Sequence, residues 1–251
     1  MNVRGLVRAK APNLVAAAQV FRVLRRQWRS LGAAGDDSRT PAELVGESAD
    51  GLVLEFRGRE IADVKASPAP LAASQRRAEI LEFLERVERL HPKRVCEIGT
   101  AGGGTLYLLT RVAEPDAVLV YVDLSVPWFS ARARARLARR EQRVVGVEGD
   151  SHDPVTRDRV AGAFGGEPID VLFIDGDHSY DGVRADFDLY APLVRSGGIV
   201  ALHDVNPDAD APHAVSGEVP RFWQELKRTH RTEELIASSV PDGYGIGVVY
   251  V

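Results

Sequence analysis

The sequence holds one cysteine, Cys96, one methionine and four lysines (Lys10, Lys65, Lys93 and Lys227). A lone cysteine excludes an internal disulfide and fits a reducing compartment. With lysine so scarce, arginine carries nearly all the positive charge, which reads as coding bias and not as function. No stretch approaches the roughly 20 apolar residues that span a bilayer, so no transmembrane segment is expected. The net charge of −4 gives no overall pull toward nucleic acid. A cytoplasmic location is the expectation.

Acid is missing from the start of the chain. Arg4, Arg8, Lys10, Arg22, Arg25, Arg26 and Arg29 precede the first acidic residue, Asp36. The apolar run Leu14–Val20 is short and lacks the small-residue cleavage site of a secretory signal. Three readings stay open for this helical stretch: a membrane-surface helix, an arm over a partner subunit in a homodimer, or a solvated helix packed on its own domain.

What is present reads as an extension followed by one α/β domain. Residues 1–73 form the extension, helical at first, then turn-rich, with a strand-like run at Leu52–Phe56. From Ser74, a candidate N-cap, Ile80, Leu81, Leu84, Val87 and Leu90 recur at helical spacing until His91-Pro92. Short apolar runs follow at Arg94–Ile98, Val118–Val122, Val144–Val147, Val171–Ile174 and Ile199–Leu202. Helical patterns lie between them near 104–113, 129–140, 154–164 and 180–195. A helix near 217–229 and strands at Glu234–Ser238 and Gly245–Val251 close the chain. Strands separated by helices imply βαβ units and a doubly wound, mostly parallel sheet over residues 74–251.

In such a sheet, ligands bind beyond the carboxyl ends of the strands. The first strand ends in Glu97, Gly99, Thr100, Ala101, Gly102, Gly103, Gly104 and Thr105, where glycines allow a sharp turn and close approach to a ligand. The second ends at Asp123, placed to accept ribose hydroxyls, and the third at Gly149-Asp150-Ser151. The dinucleotide pattern G-x-G-x-x-G fails at Ala101, and no Gly-Lys-Ser/Thr follows as a phosphate loop requires. The fourth strand runs into Asp175-Gly176-Asp177-His178-Ser179-Tyr180, and the fifth ends in His203-Asp204. Carboxylates and imidazoles at one rim suit a divalent cation. Cys96, inside a strand, reads as a small buried hydrophobe.

Glu97–Thr105, Asp123 and Asp150 resemble the nucleoside-binding motifs of class I S-adenosylmethionine-dependent methyltransferases, over roughly residues 75–251. The resemblance implies a Rossmann-like seven-stranded sheet. It implies that Gly99–Gly104 cradles the methionine and ribose, that Asp123 holds the ribose hydroxyls, and that Asp150 and Ser151 face the adenine. Asp175-Gly176-Asp177-His178-Ser179-Tyr180 with Gly197-Gly198 and His203-Asp204 is similar to metal-dependent small-molecule O-methyltransferases, macrocin-type sugar enzymes and cephalosporin-hydroxylase-like proteins among them. That likeness implies metal ligands at Asp175, His203 and Asp204, with Mg²⁺ the expected ion. It places a general base at His178, with Asp177 beside it and His152 in reserve, and a sugar or polyol hydroxyl as acceptor. His203 departs from the family pattern, which has an oxygen ligand there. His152 reads equally as a residue opening the next helix beside the adenine.

Asn206–Glu218 has the length of a substrate lid, and Trp128-Phe129 and Phe222-Trp223 are candidate pocket or packing aromatics. Three alternatives remain: a nicotinamide-dependent oxidoreductase, a nonenzymatic nucleoside-binding protein, and a nucleic-acid methyltransferase using the basic N-terminus.

Overall fold

The computed structural model describes residues 40–48, 51–56, 59–60, 75–124, 135–139, 141–207, 216–237 and 243–251. The expected basic N-terminal helix, Ser74, Trp128-Phe129 and most of the expected lid lie outside these residues.

A short helix α1 (Pro41–Leu44) leads into a small antiparallel sheet of β1 (Val45–Ser48), β2 (Gly51–Phe56) and β3 (Arg59–Glu60). The larger unit follows as α2 (Arg77–Arg89), β4 (Arg94–Ile98), α3 (Gly104–Val112), β5 (Val118–Asp123) and β6 (Arg143–Glu148). It continues with α4 (Pro154–Ala163), β7 (Ile169–Ile174), α5 (Tyr180–Tyr190), β8 (Val194–His203), α6 (Val219–Thr229), β9 (Arg231–Leu235) and β10 (Ile246–Tyr250). Seven strands form one sheet in the order β6-β5-β4-β7-β8-β10-β9. Pairings among β6, β5, β4, β7 and β8 are parallel, whereas β10 is antiparallel to both its neighbours.

Strand alternation sorts side chains into two cores. Val95, Leu119, Tyr121, Val171, Phe173, Ile199 and Ala201 face α2 and α3. Cys96, Val120, Val122, Leu172, Ile174, Val200 and Leu202 face α4, α5 and α6. Both faces are therefore covered, as a parallel sheet requires. On α2 the helical spacing of Ile80, Phe83, Leu84 and Val87 sets one buried stripe. Each such side chain contributes about 1.5–3 kcal/mol on leaving water.

Several boundaries differ from expectation. Helix α2 starts at Arg77 with Arg76 in the capping position and no side-chain cap, not at Ser74. The pattern at 180–195 divides into α5, a 3-10 turn at Ala191–Leu193, and the start of β8 at Val194, because Pro192 cannot continue the α-helix. The strand expected at Glu234–Ser238 runs over Arg231–Leu235, paired to β10 along its whole length. Of the expected 129–140 helix, residues 135–139 end in a turn.

The chain enters the sheet at β4, moves outward to β5 and β6, then returns to lay β7 on the other side of β4. The carboxyl ends of β4 and β7 are thus the point where the winding reverses, and a crevice opens there.

Candidate active site

Three short hydrogen bonds lock the strand ends around this crevice. Gly99 N–H donates to the Val122 carbonyl (2.9 Å), Asp175 N–H to the Ile98 carbonyl (2.8 Å), and Gly149 N–H to the Asp123 carbonyl (3.0 Å). Gly99 sits at φ +76°, and a Cβ there would lie 2.1 Å from the Asp175 carbonyl oxygen. Only glycine lets the ends of β4 and β7 come this close. Two non-glycine residues at the same rim also have positive φ, Ala101 (38°) and Asp204 (61°). Such backbone costs on the order of 1–3 kcal/mol and tends to gather at functional loops.

The resulting cleft has a volume of about 560 Å³. Of the expected donor-binding residues, Gly99, Ala101, Asp123, Asp150, Ser151 and Asp175 line it. His152 and Asp177 line it too. Glu97, Thr100 and Thr105 are buried behind it, with Gly103 capping α3 at φ +82° and Gly104 opening the helix. Asp123 accepts the Ala101 N–H (3.2 Å), which ties the glycine loop to the end of β5. Asp150 accepts the His152 N–H (2.9 Å). Asp177 is engaged in the turn that starts α5, accepting the Ser179 N–H at 2.8 Å, and that bond leads the causes that hold its carboxyl below the usual range. Ser179 in turn caps α5 through Gly182 N–H (3.1 Å).

Beyond this cleft, at the ends of β7 and β8, lies a cluster of opposite charges. His203 Nδ1 donates to Asp175 Oδ1 (3.2 Å) and lies 3.0 Å from Asp204 Oδ1 without the alignment of a hydrogen bond. His178 is set between the same two carboxylates, Nδ1 3.3 Å from Asp204 Oδ2 and Nε2 3.6 Å from Asp175 Oδ1. The two histidines differ in access: His203 is 4% exposed, whereas the His178 side chain is 34% exposed.

The charges are strongly interdependent. Burial pushes Asp175 up, but the His203 and His178 partners outweigh it and hold its carboxyl well below the usual range. Burial pulls His203 down, yet Asp175 and Asp204 outweigh it and keep the imidazole protonated far above its usual value. Burial wins at Asp204, whose carboxyl is raised despite His203. Among the described residues, ligand atoms of Asp175, His178 and Asp204 lie within 4.8 Å of one another, a set able to surround a cation. The expected ligand His203 is turned inward, and the open side of the cluster belongs to His178.

Sequence reasoning missed three buried polar residues here. Gln75, 1% exposed, donates through Nε2 to Asp175 Oδ2 (3.1 Å) and accepts the Thr105 hydroxyl (2.9 Å). It precedes α2 and carries no motif that would mark it. Glu79, 1% exposed, accepts the backbone N–H groups of Ala237 (2.9 Å) and Gly245 (3.0 Å), pinning the β9–β10 ends to α2. Asp186, 0% exposed, lies on α5 with Val183, Phe187 and Tyr190. An acid on that apolar stripe was the signal in the sequence.

Residues 96–205 match the family described as "Methyltransferase domain". Over this stretch the chain is similar to methyltransferase domains. This match sets aside the oxidoreductase alternative, in keeping with the broken dinucleotide pattern at Ala101. A rhamnosyl O-methyltransferase of Mycobacterium bovis is 31% identical over 134 residues, 51% of this chain and 52% of that protein. The demethylmacrocin O-methyltransferase of Streptomyces fradiae is 37% identical over 65 residues, 26% of this chain and 16% of that protein. The chain thus spans about half the length, or less, of these relatives. Among solved structures, the O-methyltransferase TomG of Streptomyces achromogenes, in complex with S-adenosylmethionine, superposes with a TM-score of 0.54 at 23% identity. That superposition covers 73% of this chain and 82% of TomG. An O-methyltransferase of Bacillus cereus in complex with S-adenosylhomocysteine gives 0.55 at 21% identity, covering 73% and 86%. These superpositions establish the methyltransferase fold.

Proposed function

We propose that this protein transfers the methyl group of S-adenosylmethionine to a hydroxyl of a sugar or other polyol. The observation that carries the reading is the juxtaposition of two sites at one sheet rim. The cleft lined by Gly99, Asp123 and Asp150 adjoins, through Asp175, the cluster of His178, His203 and Asp204. A donor seated in the cleft, with Asp123 on its ribose and Asp150 and Ser151 at its adenine, would turn its sulfonium toward that cluster. The sugar acceptor is supported by the rhamnosyl enzyme's similarity.

Methyl transfer is an in-line displacement in which the acceptor oxygen forms a bond to carbon as the carbon–sulfur bond breaks, and the hydroxyl proton must go elsewhere. In our reading His178 takes it. It is the accessible imidazole of the cluster, and Asp175 and Asp204 beside its two nitrogens stabilise the imidazolium that results. Gln75 fixes the second oxygen of Asp175, so that the first stays aimed at the histidines. Holding both reactants in line supplies much of the remaining acceleration.

A second reading is favoured by the grouping of Asp175, His178 and Asp204. These residues would hold a divalent cation such as Mg²⁺. The donor set fits: two carboxylates and an imidazole, with Asp204 Oδ1 buried and accepting no hydrogen bond. Such an ion, when bound, orients an acceptor hydroxyl and lowers its pKa.

Calorimetric titration with S-adenosylhomocysteine, followed by turnover assays over a panel of glycosides and polyols, tests the proposal. Binding plus methylation of a hydroxyl is expected; absence of binding sinks it. Chelation separates the two roles of His178. Full activity in chelator supports the base, and loss restored by Mg²⁺ supports the ligand.

A further inference from the structure

The nucleoside end of the cleft contains a buried acid that the proposed chemistry does not use. Asp186, on α5, is fully buried, and neither of its carboxylate oxygens closes a well-formed hydrogen bond. Its Oδ1 lies 3.6 Å from His152 Nε2, an atom that is itself buried and without a hydrogen bond. The opposite ring nitrogen, Nδ1, lies 3.5 Å from Asp150 Oδ1. His152 is thus suspended between two carboxylates, one beneath the cleft floor and one lining it. Ser151 approaches Asp186 as well, and a Cβ on Gly176 would come 3.3 Å from Asp186 Oδ2, which fixes the acid directly under the floor.

A fully buried carboxylate without full hydrogen-bond partners is costly, and folds retain such groups chiefly where they serve a site. Here burial pushes the carboxyl up to about 6, against the relief given by Ser151 and His152. Two further carboxylates add to that cost. Asp177 and Asp150 press from the two loops, while Cys96 on β4 and Tyr190 on α5 are themselves raised mainly by burial. His152 is the imidazole set directly beside it.

We infer that Asp186 is a positioning residue for the donor's nucleoside base, holding His152 so that Asp150 and Ser151 keep the geometry that grips the adenine. The inference rests on the donor-binding reading above. If His152 swung free of Asp186, its ring would be drawn toward Asp150, and the groups meant for the base would satisfy each other instead. The bland alternative is that Asp186 is only part of the packing between α5 and the sheet. The two differ in one consequence: a packing role is independent of His152, whereas a positioning role acts through it.

Wild type, Asp186→Asn, His152→Gln and the double variant should be titrated with S-adenosylhomocysteine, with thermal unfolding recorded for each. Each single change is expected to weaken binding roughly five- to tenfold, and the double variant no more than the worse single, the signature of two residues acting as a unit. In turnover the loss should fall on the donor KM and not on kcat. Losses that multiply in the double variant, or an affinity unchanged by Asp186→Asn, overturn the inference. Should Asp186→Asn fail to fold, wild-type affinity in the partly exposed His152→Gln variant overturns it equally. No binding by the wild type would instead sink the donor reading itself.

Discussion

At the scale of single residues, the site holds charges that folding alone would not choose. Asp186 illustrates the trade. Its raised pKa means that the carboxylate is less favoured in the folded chain than in the unfolded one. Ionisation at neutral pH therefore works against stability, and the penalty fades as pH falls through about 6 toward the unfolded value. Asp186→Asn should accordingly stabilise the protein at pH 7.5, on the order of 1–3 kcal/mol, while weakening the donor site. Urea titration measures the first effect, and a midpoint lower than wild type would contradict it. His178→Ala acts on the other side of the cleft. It should lower kcat by roughly 10²–10⁴-fold, as expected for loss of a general base, and leave donor affinity near wild type. Steady-state kinetics with saturating donor checks this. By contrast Cys96 is fully buried, and burial pushes its thiol far up, so thiol reagents should not touch activity in the native protein.

At the scale of elements, the crevice exists because two strand ends approach more closely than side chains allow. Gly99 carries both requirements, a positive φ and no room for a Cβ beside the Asp175 carbonyl. Gly99→Ala must distort either β4 or the turn after β7. We expect a loss of at least about 2 kcal/mol, from backbone strain and steric overlap together, with a drop in thermal midpoint seen by calorimetry. A midpoint within a degree of wild type would show that the approach is not constrained as described. Helix α5 plays a complementary part: Ser179 caps its start, Asp177 shapes the turn before it, and its buried face carries Asp186 beneath the floor. One element thus joins the two ends of the cleft.

At the scale of the whole molecule, the far edge of the sheet is tied to α2 by Glu233. It accepts two bonds from Arg86 (3.1 and 2.7 Å) and one from the Tyr250 hydroxyl (2.5 Å). The Arg86 bonds lead the causes that lower its carboxyl to about 2. A depressed carboxyl contributes stability that is present above the unfolded value and lost as pH falls through the folded one. Wild type should therefore lose stability between about pH 4.5 and 2 through this group. Glu233→Gln should flatten that part of the acid unfolding curve, and an unchanged curve would refute the assignment.

Periodicity and turn residues were enough to read the α/β class, the mostly parallel sheet and the rim at which chemistry gathers, and the family resemblance added the count of seven strands. Strand alternation and glycine-rich turns are local consequences of backbone geometry, and Glu97–Thr105, Asp123, Asp150 and Asp175–Tyr180 lie at strand ends that any reader of periodicity would find. Helix ends were less legible, since capping depends on which neighbours cover the first turn, as Arg76 shows at α2. The different surroundings of the two histidines emerged only on folding. His203 and His178 look alike in sequence, but one is buried against Asp175 and Asp204 and the other faces outward. The tertiary structure also decided that Gln75, a hundred positions from Asp175, orients it, and that Asp186 stands under the floor beside His152. These are contacts between elements distant in the chain. Burial and electrostatic pairing, which fix a side chain's charge and reach, arise only when the elements pack.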